Sequence, residues 1–246
     1  MAEMTRSSAD AGRGLAVALG LLAAWAASLV LLVSTPLASL PLWAIVVGVL
    51  VQTFLYTGLF ITAHDGMHGT ICPRYPRLND AIGVLSVGLY ALFDFRALRR
   101  AHHAHHRAPA SLEDPDYHDG EHSQLVWWYL TFLWRYLAWW QLVGMAVIFN
   151  VLQHFLGTDV GSLVVFWVVP SLLSTLQLFV VGTWLPHRDL PGGHADVHRA
   201  RTLDLPPWLS LLACYHFGYH HEHHDRPAVP WWRLPQARRD ARSQTG

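Results

Sequence analysis

Residues 42–68 read LWAIVVGVLVQTFLYTGLFITAHDGMH. From Leu42 to Ala63 nothing is charged, and Gln52, Thr53, Thr57 and Thr62 are the only clearly polar side chains. At ~1.5 Å of rise per residue such a helix crosses a hydrocarbon core of ~30 Å. It then runs into His64 and His68, an i, i+4 pair that shares one helical face. An apolar span that carries imidazoles to the membrane surface predicts an all-α integral membrane protein with a site at one face. The flanking sequence repeats the theme. Leu15–Val33, Tyr136–Leu156 and Ser162–Leu185 are further apolar runs, which makes about four transmembrane helices. Pro170 is expected to kink the last, as membrane helices tolerate. Ala81–Phe93 and Pro206–Phe217 are too short to span and read as re-entrant or interfacial helices. Val126–Trp140 sets Arg135 among Trp127, Trp128, Trp134, Trp139 and Trp140, the composition of a helix lying in the headgroup zone.

Composition agrees. Of the 246 residues, 52% are hydrophobic and only 14% charged, where a soluble domain carries about a quarter charged. The length suits one domain, 1–246, with flexible ends at about 1–12 and 237–246. A formal net charge of zero gives no reason to expect a nucleic-acid partner. Cys72 and Cys214 form no CxxC and support neither a disulfide framework, an iron–sulfur cluster nor haem attachment. The N-terminus lacks the short apolar stretch and small-residue site of a cleaved signal peptide, so none is expected.

Parity of the spans fixes sidedness. With Arg6 and Arg13 in the cytoplasm, the second span returns His64 to the cytoplasmic face and the fourth returns His187 to the same face. The outer loops, Ser34–Pro41 and Gly157–Gly161, then contain no Arg, as the positive-inside rule asks. The expected location is the cell inner membrane, with the active site on the cytoplasmic side.

The 17 histidines matter by their spacing. His102-His103-Ala104-His105-His106 and His220-His221-Glu222-His223-His224 both contain H-x-x-H-H, and positions i, i+3 and i+4 of a helix fall within roughly 100°. The spacing selects His102, His105, His106, His220, His223 and His224 and leaves His103 and His221 aside. His64 and His68 join them, and His187 ends the fourth span on the correct side as a ninth ligand. His216, one turn before His220, is a further candidate, with His194 and His198 behind it. His154 falls near the opposite end of the third span, ~25–30 Å away, and is excluded. A lone pair of this kind is usually a surface feature, but three clusters, each after an apolar segment and on one face, form a metal site.

So many imidazoles exceed what one zinc uses, and no HExxH is present. A bis-histidine haem would sit between spans at depth. Two Fe²⁺ sharing eight to ten neutral imidazoles, with coordination positions open for O₂, match the donor set. Asp65, Asp114, Asp116 and Glu222 are candidates to orient the ligand N–H groups.

Three histidine clusters on four spans resemble the membrane fatty-acid desaturase and hydroxylase superfamily. The finer motifs His64-Asp65-Gly66-Met67-His68-Gly69, Thr183-Trp184-Leu185-Pro186-His187-Arg188, Phe217-Gly218-Tyr219-His220-His221-Glu222-His223-His224 and Pro230-Trp231-Trp232-Arg233-Leu234-Pro235 are similar to those of bacterial β-carotene 4-ketolases. The resemblance covers about residues 50–235. Gly66 departs from it, since Ala is expected there, and Asn150–His154 is no part of it. The resemblance implies a di-iron oxygenase that oxidises C4 of a β-ionone ring with O₂ and two electrons per turnover. A second hydroxylation at the same carbon gives a geminal diol, which loses water to the ketone. β-Carotene would become echinenone and then canthaxanthin. No G-x-G-x-x-G and no cysteine set delivers electrons, so an external ferredoxin or reductase must. Arg96, Arg99, Arg100 and Arg107 flank the second cluster and offer a docking site for an acidic donor or for lipid phosphates. The carotenoid lives in the bilayer, so an apolar tunnel between spans is expected.

Histidine spacing alone does not separate the ketolase from a carotenoid 3-hydroxylase or a fatty-acyl desaturase or hydroxylase. A metal transporter would need polar ligands along a mid-membrane path, and the spans lack them.

Overall fold

A computed structural model describes residues 8–245 apart from Leu190, Pro191 and Ala195. Arg6 and the other residues before Ser8 lie outside the described residues. Helices dominate: α1 Ser8–Val33, α2 Leu42–Met67, α3 Pro76–Ala91, α4 Phe95–Arg107, α5 Leu125–Tyr136, α6 Trp139–His154, α7 Val160–His187, α8 Pro207–Cys214, α9 His220–Asp225 and α10 Leu234–Thr245. Among the described residues the only strand-like feature is one bridge between Thr202 and Tyr219.

The membrane character is visible in what faces outward. Val30, Leu31, Trp43, Leu50, Val143 and Val147 are exposed on α1, α2 and α6, whereas a soluble bundle would turn such side chains inward. Several polar groups are inside and hydrogen-bonded to one another. Thr57 Oγ1 lies 2.9 Å from Ser174 Oγ and donates to Gln177 Oε1 at 2.6 Å. Tyr90 Oη donates to Ser174 Oγ at 3.0 Å, and Gln177 Nε2 to the Ala213 carbonyl at 2.8 Å. This network ties α2, α3, α7 and the end of α8 together where lipid offers no partner. Trp25, Tyr56 and Tyr90 pack edge to face beside it.

Among the described residues three helices are long and apolar enough to cross a membrane: Gly12–Val33, Leu42–Met67 and Val160–His187. The remaining segments follow from where their ends sit. Helices α3 and α4 meet at 101°, and α4 returns His102 to within 2.8 Å of His68 at the end of α2. The pair therefore leaves and re-enters on one face. Helix α6 starts on the histidine side, since just before it Arg135 Nη1 donates to the Pro115 carbonyl at 2.9 Å and Tyr136 Oη to Asp116, which stands 3.9 Å from His105. It leads to the opposite one, where Ser162 Oγ donates to the carbonyl of Thr35, just past the end of α1. It is thus the third of four crossings in chain order.

That crossing differs from the sequence expectation of one span over Tyr136–Leu156. Tyr136 belongs to α5, the chain turns by 84°, and α6 has only 16 residues, ~24 Å of helix. Gln141 makes the turn, its Oε1 accepting the Ala138 N–H at 2.6 Å in place of a helical carbonyl.

Proline leaves α7 one continuous helix, Val160–His187, and its mark there is wide turns rather than a break. One i→i+5 turn, Val164–Val168, precedes Pro170, and a second, Val180–Trp184, precedes Pro186. A proline ring clashes with the carbonyl four residues back and donates no hydrogen bond, and a wide turn absorbs both defects. The second turn sets His187 at the end of the helix.

At the histidine face the capping is explicit. Just past the end of α2 comes Gly69, whose φ of +70° is the left-handed turn glycine accepts. Asp94 caps α4 by accepting from the Arg96 and Ala97 N–H groups at 2.8 and 3.1 Å. Phe95 lies so close to Gly83 that an added Cβ would meet its ring at 2.3 Å. A Cβ at Gly66 would meet nothing nearer than Ile71 Cδ1 at 3.3 Å, a side-chain tip that can yield, so the departure from Ala there is mild. The segment 237–245, expected to be a flexible end, is instead part of α10. Arg238 anchors it, pairing with Glu222 at 3.3 Å and Asp204 at 2.6 Å.

Candidate metal centre

All nine candidate histidines converge, and they divide into two groups whose ligand atoms lie within 4.8 Å of one another. His64, His68, His102, His106 and His223 form one; His105, His187, His220 and His224 form the other. Each i, i+4 pair stays together: 64 with 68, 102 with 106, 220 with 224. The i+3 member of each H-x-x-H-H crosses over, so His105 of α4 joins the α9 pair and His223 of α9 joins the α4 pair. The groups touch where the His106 and His224 rings stack at 4.2 Å.

Metal ions fit this arrangement. Nε2 atoms approach at 2.8 Å (His68–His102), 3.1 Å (His102–His106), 3.0 Å (His106–His223) and 3.1 Å (His105–His224, His220–His224). Two nitrogens ~2.1 Å from one ion and at right angles to it stand ~3.0 Å apart. His64 is buried with neither ring nitrogen hydrogen-bonded, and His187 Nε2 is likewise without a partner. Such atoms are costly to bury unless something else satisfies them.

The other ring nitrogens fix the tautomers. His187 Nδ1 lies 2.8 Å from the Arg199 carbonyl, which only accepts, so Nδ1 carries the proton and the lone pair is on Nε2. Asp114 Oδ2 accepts from His105 Nδ1 at 2.8 Å and also from the Ala110 N–H at 2.9 Å. By the same logic His103 Nε2 donates to the Met67 carbonyl at 3.1 Å, which takes it out of the ligand set. His221 points to Asp196, 3.2 Å away. On α9, burial and then the crowding of neighbouring imidazoles hold His220, His223 and His224 well below the ordinary imidazole range. They are neutral at pH 7, the state that ligates a metal.

Of the four candidate orienting carboxylates, Asp114 alone reaches a ligand ring at hydrogen-bond distance. Asp65 and Asp116 stand 3.8 and 3.9 Å from His64 and His105. Asp116 instead accepts from Tyr136 Oη, and Glu222 binds Thr202 and Arg238. His216 stacks between Tyr219 and Trp231, outside both groups. His194 and His198 are also in neither, and His154 is exposed at the end of α6. The Arg199 carbonyl was invisible to sequence reasoning, because a backbone partner leaves no residue-type signal.

A cavity of about 290 Å³ opens beside the two groups. Its walls are almost wholly apolar, with Phe60, Met67, Tyr90, Phe93, Phe132 and Phe217 prominent. One part is walled by His64 and His102 of the first group and by His105 and His220 of the second. The sequence called for an apolar tunnel between spans but placed no residue in it.

Comparison with known proteins agrees with this geometry. The fatty acid desaturase family model matches residues 40–155 and 133–246, and the chain belongs to that family. Proteins named β-carotene ketolase from two Paracoccus strains are 48% and 46% identical over 187 and 188 residues, 76% of this chain and 76% of each relative. A β-carotene ketolase of Haematococcus lacustris is 43% identical over 196 residues, 77% of this chain and 61% of the alga's. Within its family the chain therefore groups with the β-carotene ketolases.

Proposed function

We propose that this membrane protein is a β-carotene 4-ketolase whose nine imidazoles hold two irons. The observation that carries the reading is the apolar cavity walled by histidines of both groups. A β-ionone ring is a hydrocarbon with no polar handle, and a cavity lined by Phe60, Phe93, Phe132 and Phe217 would hold it by shape and dispersion alone. C4 is allylic to the ring double bond, so its C–H bonds are weak.

His64, His68, His102, His106 and His223 would hold one iron, and His105, His187, His220 and His224 the other. Bound there, the irons supply the oxidising chemistry with O₂ and electrons from outside the chain. Asp114 and the Arg199 carbonyl keep His105 and His187 in the ligating tautomer, and the aromatic walls exclude water from the reacting carbon. Each hydroxylation takes one O₂, two electrons and two protons, leaving one oxygen on C4 and releasing the other as water. Repetition at C4 and loss of water from the diol give the ketone. The described arginines lie toward the histidine face, and neither far-side loop contains one, which supports an inner-membrane protein with its site on the cytoplasmic side.

The test is expression in a β-carotene-producing bacterium with mass and visible spectra of the pigments. The expected products are the mono-4-ketone and then the 4,4′-diketone, each ring gaining one oxygen and losing two hydrogens, with a shift toward red. Pigments that are only 3-hydroxylated, or unchanged carotene with altered acyl chains, would refute the ketolase reading.

A further inference from the structure

The metal-bearing helix α4 has a second face that the reaction chemistry leaves unused. Arg96, Arg100, His103 and Arg107 are all exposed and stand at i, i+4, i+7 and i+11, within about 60° of one another on a helix. His102, His105 and His106 lie on the other side of the same three turns. Among the described residues none of the three arginines has an ion-pair partner, whereas nearby Arg99 is neutralised by Asp80 at 2.9 Å. The stripe is thus a row of unspent positive charge one helix diameter, about 10–12 Å, behind the two histidine groups.

His103 links the stripe to the centre. Its Nε2 donates to the Met67 carbonyl at 3.1 Å, and its ring lies 5.8 Å from that of His68, a member of the group of five. Electrons must arrive from outside, because Cys72 and Cys214 are both buried and unpaired and the sequence has no dinucleotide motif. Resting on the ketolase reading, we propose that the Arg96–Arg100–His103–Arg107 stripe is the docking surface for an acidic one-electron carrier protein, and that His103 marks the entry side for its electrons. Two reduced carriers are oxidised by one electron each per hydroxylation, matching the two electrons that the reaction consumes. Lipid phosphates would satisfy the same arginines. The exposure of the stripe directly behind the ligand face favours the carrier, since headgroup binding would need no proximity to the histidines.

The experiment uses the full-length, iron-loaded protein in nanodiscs of phosphatidylcholine, which removes anionic lipid. The probe is an acidic plant-type [2Fe–2S] ferredoxin, its binding followed by fluorescence across a salt series. The triple variant Arg96→Glu, Arg100→Glu, Arg107→Glu is compared with wild type, and the Arg→Gln triple replaces it should charge reversal prevent insertion. Wild type is expected to bind with an affinity that falls as salt rises, and the variant to bind at least about tenfold more weakly. Iron content and reduction by dithionite should not change. Equal, salt-insensitive ferredoxin binding by both proteins would overturn the proposal. So would unchanged ferredoxin binding with lost affinity for phosphatidylserine, which would make the stripe a headgroup site. A wild type that carries no iron would instead sink the ketolase reading, a different result from failure to dock.

Discussion

Helices α4 and α9 carry the same H-x-x-H-H spacing and use it in opposite senses. Helix α4 gives its i, i+4 pair to the group of five and its middle histidine to the group of four; α9 does the reverse. Their supports differ as well. Helix α4 is capped by Asp94 and wedged by Phe95 against Gly83. Helix α9 is a six-residue turn held from behind, its Glu222 accepting from Thr202 and pairing with Arg238 of α10. The lesson is that the i, i+4 pair of a histidine motif stays within one group, while the third member reports where the partner helix lies.

The strongest break of this symmetry is loss of a ligand. His187→Ala leaves three imidazoles in its group and His68→Ala leaves four in the other. Both should lower ketone formation by at least about 100-fold, above the loss usual for outer partners, and His187→Ala should lose iron from its group more completely. Equal iron content in the two variants, measured by mass spectrometry of the metal, would contradict the division into groups.

Next in size is the support of α9. Arg238→Leu leaves Glu222 buried without its cation, which costs about 3–5 kcal/mol where a buried pair is broken. Thermal unfolding in detergent should show the loss, with the group of His105, His187, His220 and His224, which takes two members from α9, releasing metal before the group of five, which takes one. Smaller again is Asp114→Asn, which weakens the acceptor on His105 Nδ1. Iron affinity or activity should drop about 10–100-fold with the fold retained, and a metal titration of the apoprotein reads it. His154→Ala should leave ketone formation unchanged, because the side chain is exposed and belongs to neither group. A dead but well-inserted His154→Ala protein would mean that α6 does not lead away from the site.

Much of this was legible in the sequence. The apolar runs identified α1, α2 and α7 because lipid-facing helices must be apolar along their length, i, i+3, i+4 spacing selected eight histidines because a helix presents those positions together, and His187 was added by its place at the end of the fourth span. What escaped was set by contacts between distant residues. The allegiance of His105 and His223 depends on how α4 and α9 face each other. The turn between α5 and α6 has no Gly or Pro to mark it, since Gln141 makes it by capping Ala138. The Arg-rich segment after residue 237 reads as a solvated tail until Glu222 and Asp204 are found beside Arg238. Asp114 and Asp116 looked equivalent, and only the fold turns one to His105 and the other to Tyr136.

The central claim is that nine imidazoles in groups of five and four hold a pair of irons. Metal analysis of protein purified anaerobically from membranes tests it most directly. The account predicts about two irons per chain and little zinc, as an imidazole-rich site open to O₂ requires. One zinc per chain, with activity indifferent to iron chelators, would contradict it.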